Sequence, residues 1–221
     1  MHRADGTGRQ AAFDADRQTG GGRLYGAVVR HLGDSVAARL VDTDSGPQIF
    51  AAAAALTEMA GWMAHDSGQD DLAARHFARA LPLARTSGDL PLAAHIAASS
   101  SHLALQTGDA PRAAHWAQTG LDFVGQGPRI PALTARLHTM RARALAAASQ
   151  YVPAARSLEQ ALGALDASAD CEHPWLSPFD AAALSSESAL VLRDLEQHEQ
   201  ALTHAEDAVR LREEAGLVLW P

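Results

Sequence analysis

The chain has 221 residues, is 47% hydrophobic and 20% charged, and carries a formal net charge of −8. This length suits one domain with a short appendage, the hydrophobic fraction excludes a wholly disordered chain, and the acidic balance argues against DNA binding by this chain alone. It has neither the roughly 20 apolar residues of a membrane span nor the apolar segment of a secretory signal, and its single cysteine excludes an internal disulfide framework, so we expect a cytoplasmic protein.

Alanine and leucine dominate the composition, whereas β-branched valine and isoleucine are sparse. Because alanine is the best helix former and β-branched residues favour strands, the sequence predicts an all-α fold. Lysine and asparagine, which use AT-rich codons, are absent. The coding sequence is therefore expected to come from a GC-rich genome such as that of an actinobacterium.

In chain order, residues 1–20 are polar and glycine-rich, which predicts a disordered tail. Residues 21–221 are expected to form one helical repeat domain, beginning with an amphipathic helix over residues 23–41. Its predicted apolar face comprises Leu24, Val28, His31, Leu32 and Val36. From residue 48 onward, helical segments alternate with breaks rich in glycine, proline, serine and aspartate. The breaks fall at residues 65–70, 86–91, 107–111, 125–131, 147–153 and 167–178. Such short connections are typical of antiparallel helix hairpins.

Four segments of the chain align with one another around a small residue in the second helix of each predicted pair. These anchor residues are Ala73, Ala113, Ala154 and Ala201. The positions seven residues later and twelve residues earlier are also small in all four segments: Ala80, Gly120, Ala161, Ala208, Gly61, Ser101, Ala142 and Ala189. Small side chains let two helices cross closely, so the pattern predicts four packed helix pairs behind a leading helix.

This pattern resembles the tetratricopeptide repeat, which has small residues at these offsets and a short turn between the paired helices. The turns here begin at Gly68, Gly108, Ser149 and Glu196. The resemblance implies a superhelix of about nine helices with a concave groove. The anchors are 40, 41 and 47 residues apart instead of the usual 34, which implies lengthened helices or linkers. A plain alanine-rich bundle is the alternative interpretation.

A second resemblance covers residues 20–216. The stretches at 20–40, 56–84, 131–147 and 174–195 resemble the C-terminal region of actinobacterial Xre-type transcriptional regulators. In that family a helix-turn-helix domain precedes a tetratricopeptide-like sensor region. Only about twenty polar residues precede the matching region here. The resemblance therefore implies the sensor region without the helix-turn-helix domain, and no direct DNA binding by this chain alone.

Polar and aromatic side chains recur at the positions of each first helix that face the groove of a tetratricopeptide array. These candidate ligand-binding residues are Glu58, Trp62, His65, His95, His102, Arg136, Thr139, Arg143 and Arg193. Arginine binds carboxylates and phosphates through paired donors, so Arg136 and Arg143 with Trp62 could hold an acidic peptide or an anionic small molecule. A solvated arginine face with ion pairs to neighbouring helices is the alternative.

The sequence predicts neither a metal site nor a cofactor nor an enzymatic activity. His95 and His102 are seven residues apart, about 10 Å along a helix, which is too far for one ion to bridge. The chain has no GxSxG elbow, and the GGG at residues 20–22 does not follow a predicted strand.

The favoured function is a non-catalytic regulatory or sensor module that binds a peptide, protein or small ligand in its groove. One alternative is an enzyme or accessory protein of specialised metabolism that uses the polar groove. The other is a fragment of a DNA-binding regulator.

Leu217, Val218, Leu219 and Trp220 form an apolar tail that is expected to cap the last repeat or to contact a second copy in a homodimer.

Overall fold

The computed structural model describes residues 24–40, 46–165, 173–176 and 178–215. The predicted disordered tail, Cys171 and the apolar residues 217–220 lie outside these ranges. Within them the fold is all-helical, with nine helices and no strand. The leading helix α1 comprises Tyr25–His31, a π-helical turn Leu32–Val36, and Ala37–Leu40. The others are α2 (Pro47–Asp66), α3 (Asp70–Thr86), α4 (Leu90–Gln106), α5 (Ala110–Val124), α6 (Pro131–Ala147), α7 (Tyr151–Leu165), α8 (Ala181–Asp194) and α9 (His198–Glu214).

The helices pack as antiparallel hairpins, as the sequence predicts. The pairs are α2 with α3, α4 with α5, α6 with α7, and α8 with α9. The chain divides into two compact units, residues 1–89 and residues 90–221. The first unit contains α1 and the first hairpin, and the second contains the other three hairpins.

Each hairpin turn has one residue in the left-handed backbone conformation, five positions before the anchor. These residues are Gly68, Gly108, Ser149 and Glu196, with φ of 75°, 82°, 58° and 61°. At Gly108, the residue's N–H donates to the carbonyl of Leu105, and the next N–H, of Asp109, reaches back to Ala104. The other three turns repeat the same pair of bonds. This end of a helix satisfies carbonyls that would otherwise lack a donor, and it favours glycine at the left-handed position.

The small residues lie where the paired helices cross. A Cβ atom on Gly61 would collide with the ring of Phe77 on the paired helix α3; one on Gly120 would come within 3.2 Å of the Ala94 carbonyl on the paired helix α4 and would collide with Leu137 of the next hairpin. At the position equivalent to Gly61 in the next hairpin, the Ser101 hydroxyl donates to the carbonyl of Ala113 at 2.8 Å. These contacts explain why the sequence keeps small side chains at these offsets in the first two hairpins.

The core of the first unit lies between α1 and the first hairpin. Val36, Ala53, Leu56, Met59 and Met63 form its buried cluster. The leading helix was predicted to place His31 on its apolar face, but His31 is exposed. The π-helical turn that follows His31 contains Val36, the buried residue of this helix, and Leu24, Val28 and Leu32 pack against the same cluster. The period of the sequence pattern does not reveal such a turn.

In the second unit the first helices of successive hairpins pack side by side. Helix α4 contacts α6, and α6 contacts α8. Alanines fill much of this interior, which brings the helix backbones close together. A larger cluster forms where α4, α5 and α6 meet: Ala94, Ala98, Ala117, Ile130, Leu133, Leu137 and Met140. Among the described helices, none combines the length and the apolarity that crossing a bilayer requires.

Candidate ligand-binding face

Three nitrogen-bearing side chains, His95, Arg136 and His173, influence one another electrostatically near the packed helices α4 and α6. His95 on α4 is buried, and Arg136 on α6 is half-buried. Burial, together with the nearby charges of Arg136 and of His173, holds the pKa of His95 well below its ordinary value of 6.5. His95 is therefore a neutral imidazole in the folded protein, placed beside the permanent charge of Arg136.

Two turns further along α6, Arg143 makes an ion pair with the neighbouring hairpin. Its Nη1 donates to Glu187 Oε2 on α8 at 2.8 Å, and the exposed fractions of the two side chains are 16% and 26%. This contact matches the alternative interpretation of the arginine face, in which arginines pair with neighbouring helices. Arg143 therefore helps to hold α6 against α8.

The remaining candidates of the second unit differ in exposure. His102 lies on α4 two turns after His95 and is half-buried. Thr139 is fully buried, and its hydroxyl donates to the Ala135 carbonyl of its own helix at 2.8 Å. Arg193 is exposed and donates from two nitrogens to the adjacent Asp194. Arg136, Arg143 and His102 are thus the half-buried candidates of the second unit.

The segment before α8 returns to the same part of the second unit. Leu176 packs against the buried cluster that α4, α5 and α6 share. The backbone N–H of Trp175 donates to Nδ1 of His173 at 3.4 Å. This local bond and the Leu176 contact fix the position of His173 relative to His95 and Arg136. We define the polar face as His95, His102, Arg136, Arg143, His173 and Glu187.

The three other candidates belong to the first unit. Glu58 is buried in α2, whereas Trp62 and His65 are half-buried. The Trp62 ring makes edge-on contacts with His65 and Phe77. His65 Nδ1 donates to Asp70 Oδ1 at 2.6 Å, across the turn between α2 and α3. Trp62 and His65 therefore contribute to the packing of the first hairpin.

A second aromatic contact links α1 to this hairpin. The Tyr25 hydroxyl and His76 Nε2 are hydrogen-bonded at 3.0 Å, and the two rings meet edge to face. Burial lowers the pKa of His76, and Arg79 and Arg75 act in the same direction. A neutral imidazole suits this partly buried position against the hydroxyl.

The predicted residues thus fall into a set of three in the first unit and a set of six in the second. Sequence reasoning missed His173 and Glu187. His173 lies in the longest break, where spacing gives no information on the position of a side chain. Glu187 lies on α8 and takes its place in the set from its ion pair with Arg143, a contact between hairpins that helical offsets within one chain segment do not indicate.

The polar face has the chemistry of anion recognition. A guanidinium offers several directed donors, and a neutral imidazole offers one donor and one acceptor. Among the described residues, no three histidine, cysteine or acidic side chains converge as a metal ion would require. No protein-family model matches the chain, and no curated protein matches it either.

Proposed function

We propose that the chain is a non-catalytic binding module that recognises an anionic ligand, either an acidic peptide or a small anion, on the polar face. The observation that carries this proposal is that buried His95 on α4 lies within electrostatic reach of Arg136 on α6 and of His173, while α4 and α6 pack side by side. A charged side chain beside two imidazoles favours a negatively charged group over a neutral one.

The repeat pattern supports a tetratricopeptide-like array as the framework of this module. The left-handed turns recur five residues before each anchor, and the first helices of the second unit pack side by side. The resemblance to the sensor region of Xre-type regulators supports a regulatory context. We therefore infer a cytoplasmic sensor whose ligand binding is transmitted to a transcriptional response.

Two variants separate a specific role of Arg136 from a general effect of charge. Arg136→Gln removes the guanidinium of the polar face. Arg156→Gln removes one from the exposed surface of α7 in the same unit and serves as the matched control. Both replacements change the net charge equally, so a difference between them reports the position of the charge.

The experiment measures thermal stability with and without two anionic probes, inorganic phosphate and a hexaglutamate peptide. A ligand at 100 times its Kd stabilises the folded state by about 2.7 kcal/mol. We expect one probe to stabilise the wild-type chain and Arg156→Gln but not Arg136→Gln. Mass spectrometry of material that co-purifies with the chain then identifies the natural ligand.

Equal stabilisation of all three proteins would remove Arg136 from the site. The proposal also fails if neither probe stabilises the wild-type chain and no anion co-purifies with it. Circular dichroism of both variants shows whether they keep the helical fold before they are compared.

A further inference from the structure

The exposed face of α9 has the same positions in the repeat as a surface of α5 that is largely covered by the next hairpin. In α5, the positions one, four and eight residues after the anchor are Ala114, Ala117 and Leu121. Ala114 packs against Ala144 and Leu145 of α6, and Ala117 and Leu121 pack in the cluster shared by α4, α5 and α6. These three positions are the surface of α5 on which the next hairpin's first helix lies.

In α9 the same three positions are Leu202, Ala205 and Val209. All three are exposed, with exposed fractions of 61% for Leu202 and 44% for Val209. Their helical spacing of three and four residues aligns them on one side of α9. Helix α9 therefore leaves exposed the three positions that α5 uses at its contact with α6, whereas in α7 the last of these positions, Leu162, is itself 38% exposed.

The edge of this apolar stripe is acidic. Glu199, Glu206 and Glu213 recur every seven residues and are all exposed. The arginines of α9 are engaged elsewhere: Arg210 pairs with Asp207 and Glu214. Arg212 pairs with Asp180, the residue that caps α8. The acidic edge thus keeps its negative charge towards any partner that approaches the stripe.

We propose that the stripe Leu202–Ala205–Val209 docks an amphipathic helix of a partner protein whose apolar side is bordered by arginine or lysine. Two observations select this occupant. The register continues the internal helix–helix interface, which accepts a helix. The three glutamates require a basic border, because apposed like charges oppose association. An antiparallel pair of α9 helices from two copies would place Glu206 near its own counterpart, so a basic partner fits better than a second copy.

The test uses two labelled helical peptides of about 20 residues, long enough to cover about 30 Å of helix. Both carry the same leucine stripe, and one is bordered by arginine while the other is bordered by glutamate. Fluorescence anisotropy with the full chain is expected to give at least about tenfold tighter binding of the arginine peptide, a difference of about 1.4 kcal/mol. Binding should weaken as salt is raised, because the charges at the edge are screened.

Three variants locate the contact. Leu202→Gln with Val209→Gln is expected to weaken binding of the arginine peptide about tenfold or more, since these are the two large exposed apolar side chains of the stripe. Val152→Gln alters a still more exposed valine on α7 and should leave the affinity unchanged. Glu206→Arg should weaken binding of the arginine peptide and strengthen binding of the glutamate peptide.

The proposal is overturned if the arginine peptide fails to bind, or if Leu202→Gln with Val209→Gln leaves its affinity unchanged. It is also overturned if sedimentation shows that the chain alone dimerises and that this double variant abolishes the dimer. In that case a second copy occupies the stripe. These outcomes are independent of Arg136, so they do not decide the ligand proposed for the polar face.

Discussion

At the scale of single residues, the buried imidazole of His95 makes the stability of the fold depend on pH. Its pKa is held well below 6.5 by burial and by the nearby charges of Arg136 and His173. The folded state therefore keeps His95 neutral, whereas the unfolded chain binds a proton at this residue near pH 6.5. Unfolding takes up a proton below that pH, so the stability contributed by neutral His95 is present above about pH 6.5 and is lost as the pH falls.

We expect the free energy of unfolding of the wild-type chain to fall more steeply between about pH 6.5 and pH 5 than that of His95→Gln. One such group contributes at most about 1.4 kcal/mol per pH unit. Urea denaturation at several pH values measures both slopes. Burial also lowers the pKa of His76 and of His138, but these residues are present in both proteins, so the difference isolates His95. The exposed His115 provides the control variant His115→Gln; identical slopes for all three proteins would contradict the prediction.

The turns provide a second prediction at this scale. Ser149 and Glu196 adopt the left-handed conformation that glycine adopts at Gly68 and Gly108. A side chain with a Cβ atom is strained there, whereas glycine is not. Ser149→Gly and Glu196→Gly are therefore expected to raise the free energy of unfolding by about 0.5–1 kcal/mol each, and Gly108→Ala to lower it by a similar amount. Urea titration checks all three, and destabilisation by both new glycines would refute the explanation of the turns.

At the scale of helices, replacing a glycine by alanine should lower the free energy of unfolding where the glycine is packed against a buried side chain. The same replacement should raise it where the glycine is exposed within a helix. Gly61 and Gly120 lie against Phe77 and Leu137, both of which are almost completely buried. Gly61→Ala and Gly120→Ala are expected to cost about 1–3 kcal/mol each, because the neighbouring side chain must move within a packed core. Gly163 in α7 is exposed and has no atom near the place of an added Cβ. Gly163→Ala is therefore expected to stabilise the chain by about 0.5–1 kcal/mol.

Thermal unfolding of the three variants, each compared with the wild type, tests this contrast. Gly163→Ala controls for the gain in helix propensity that accompanies every replacement of glycine by alanine within a helix. If all three variants are stabilised alike, the small residues do not determine how closely the packed helices approach.

Sequence periodicity predicted the helices because the hairpin contact imposes a regular requirement for small side chains. Ala73, Ala113 and Ala154 are completely buried, as their alignment suggested. Ala201 aligns equally well but is only half-buried, because α9 is the last described helix and its outward side is exposed. The alignment records which position a residue occupies, but burial also depends on whether another hairpin covers that position.

The candidate face was less predictable than the helices. The offsets identified Arg136 and His95 from positions in their own helices. They could not identify His173, whose place depends on how Leu176 packs against α4, α5 and α6. Nor could they show that Arg143 pairs with Glu187, because an ion pair between hairpins depends on the rotation of one helix against another. Residues in helices were therefore predicted better than contacts between hairpins and residues in loops.

At the scale of the whole molecule, the distribution of charge affects which kinds of anionic ligand the chain can bind. The net charge is −8, and the acidic edge of α9 contrasts with the group of His95, Arg136 and His173 on the polar face. A small anion or a short acidic peptide needs only one local group of donors. A DNA duplex presents many phosphates, and its nonspecific affinity grows with the number of cationic contacts that it makes. The molecule is thus better suited to a compact anion than to a long polyanion.

We therefore predict that this chain alone does not bind duplex DNA specifically at physiological salt. The average field repels the phosphates, and an isolated group of cationic side chains cannot make the six to ten phosphate contacts typical of strong DNA binders. The measurement is fluorescence anisotropy with two duplexes, one taken from upstream of the coding sequence of this chain and one with the same bases in scrambled order. We expect weak binding of both duplexes at low salt and none at about 0.15 M salt. Tighter binding of the upstream duplex that persists at physiological salt would show that the chain itself reads DNA, and the role proposed for the polar face would then have to be tested against DNA as the ligand.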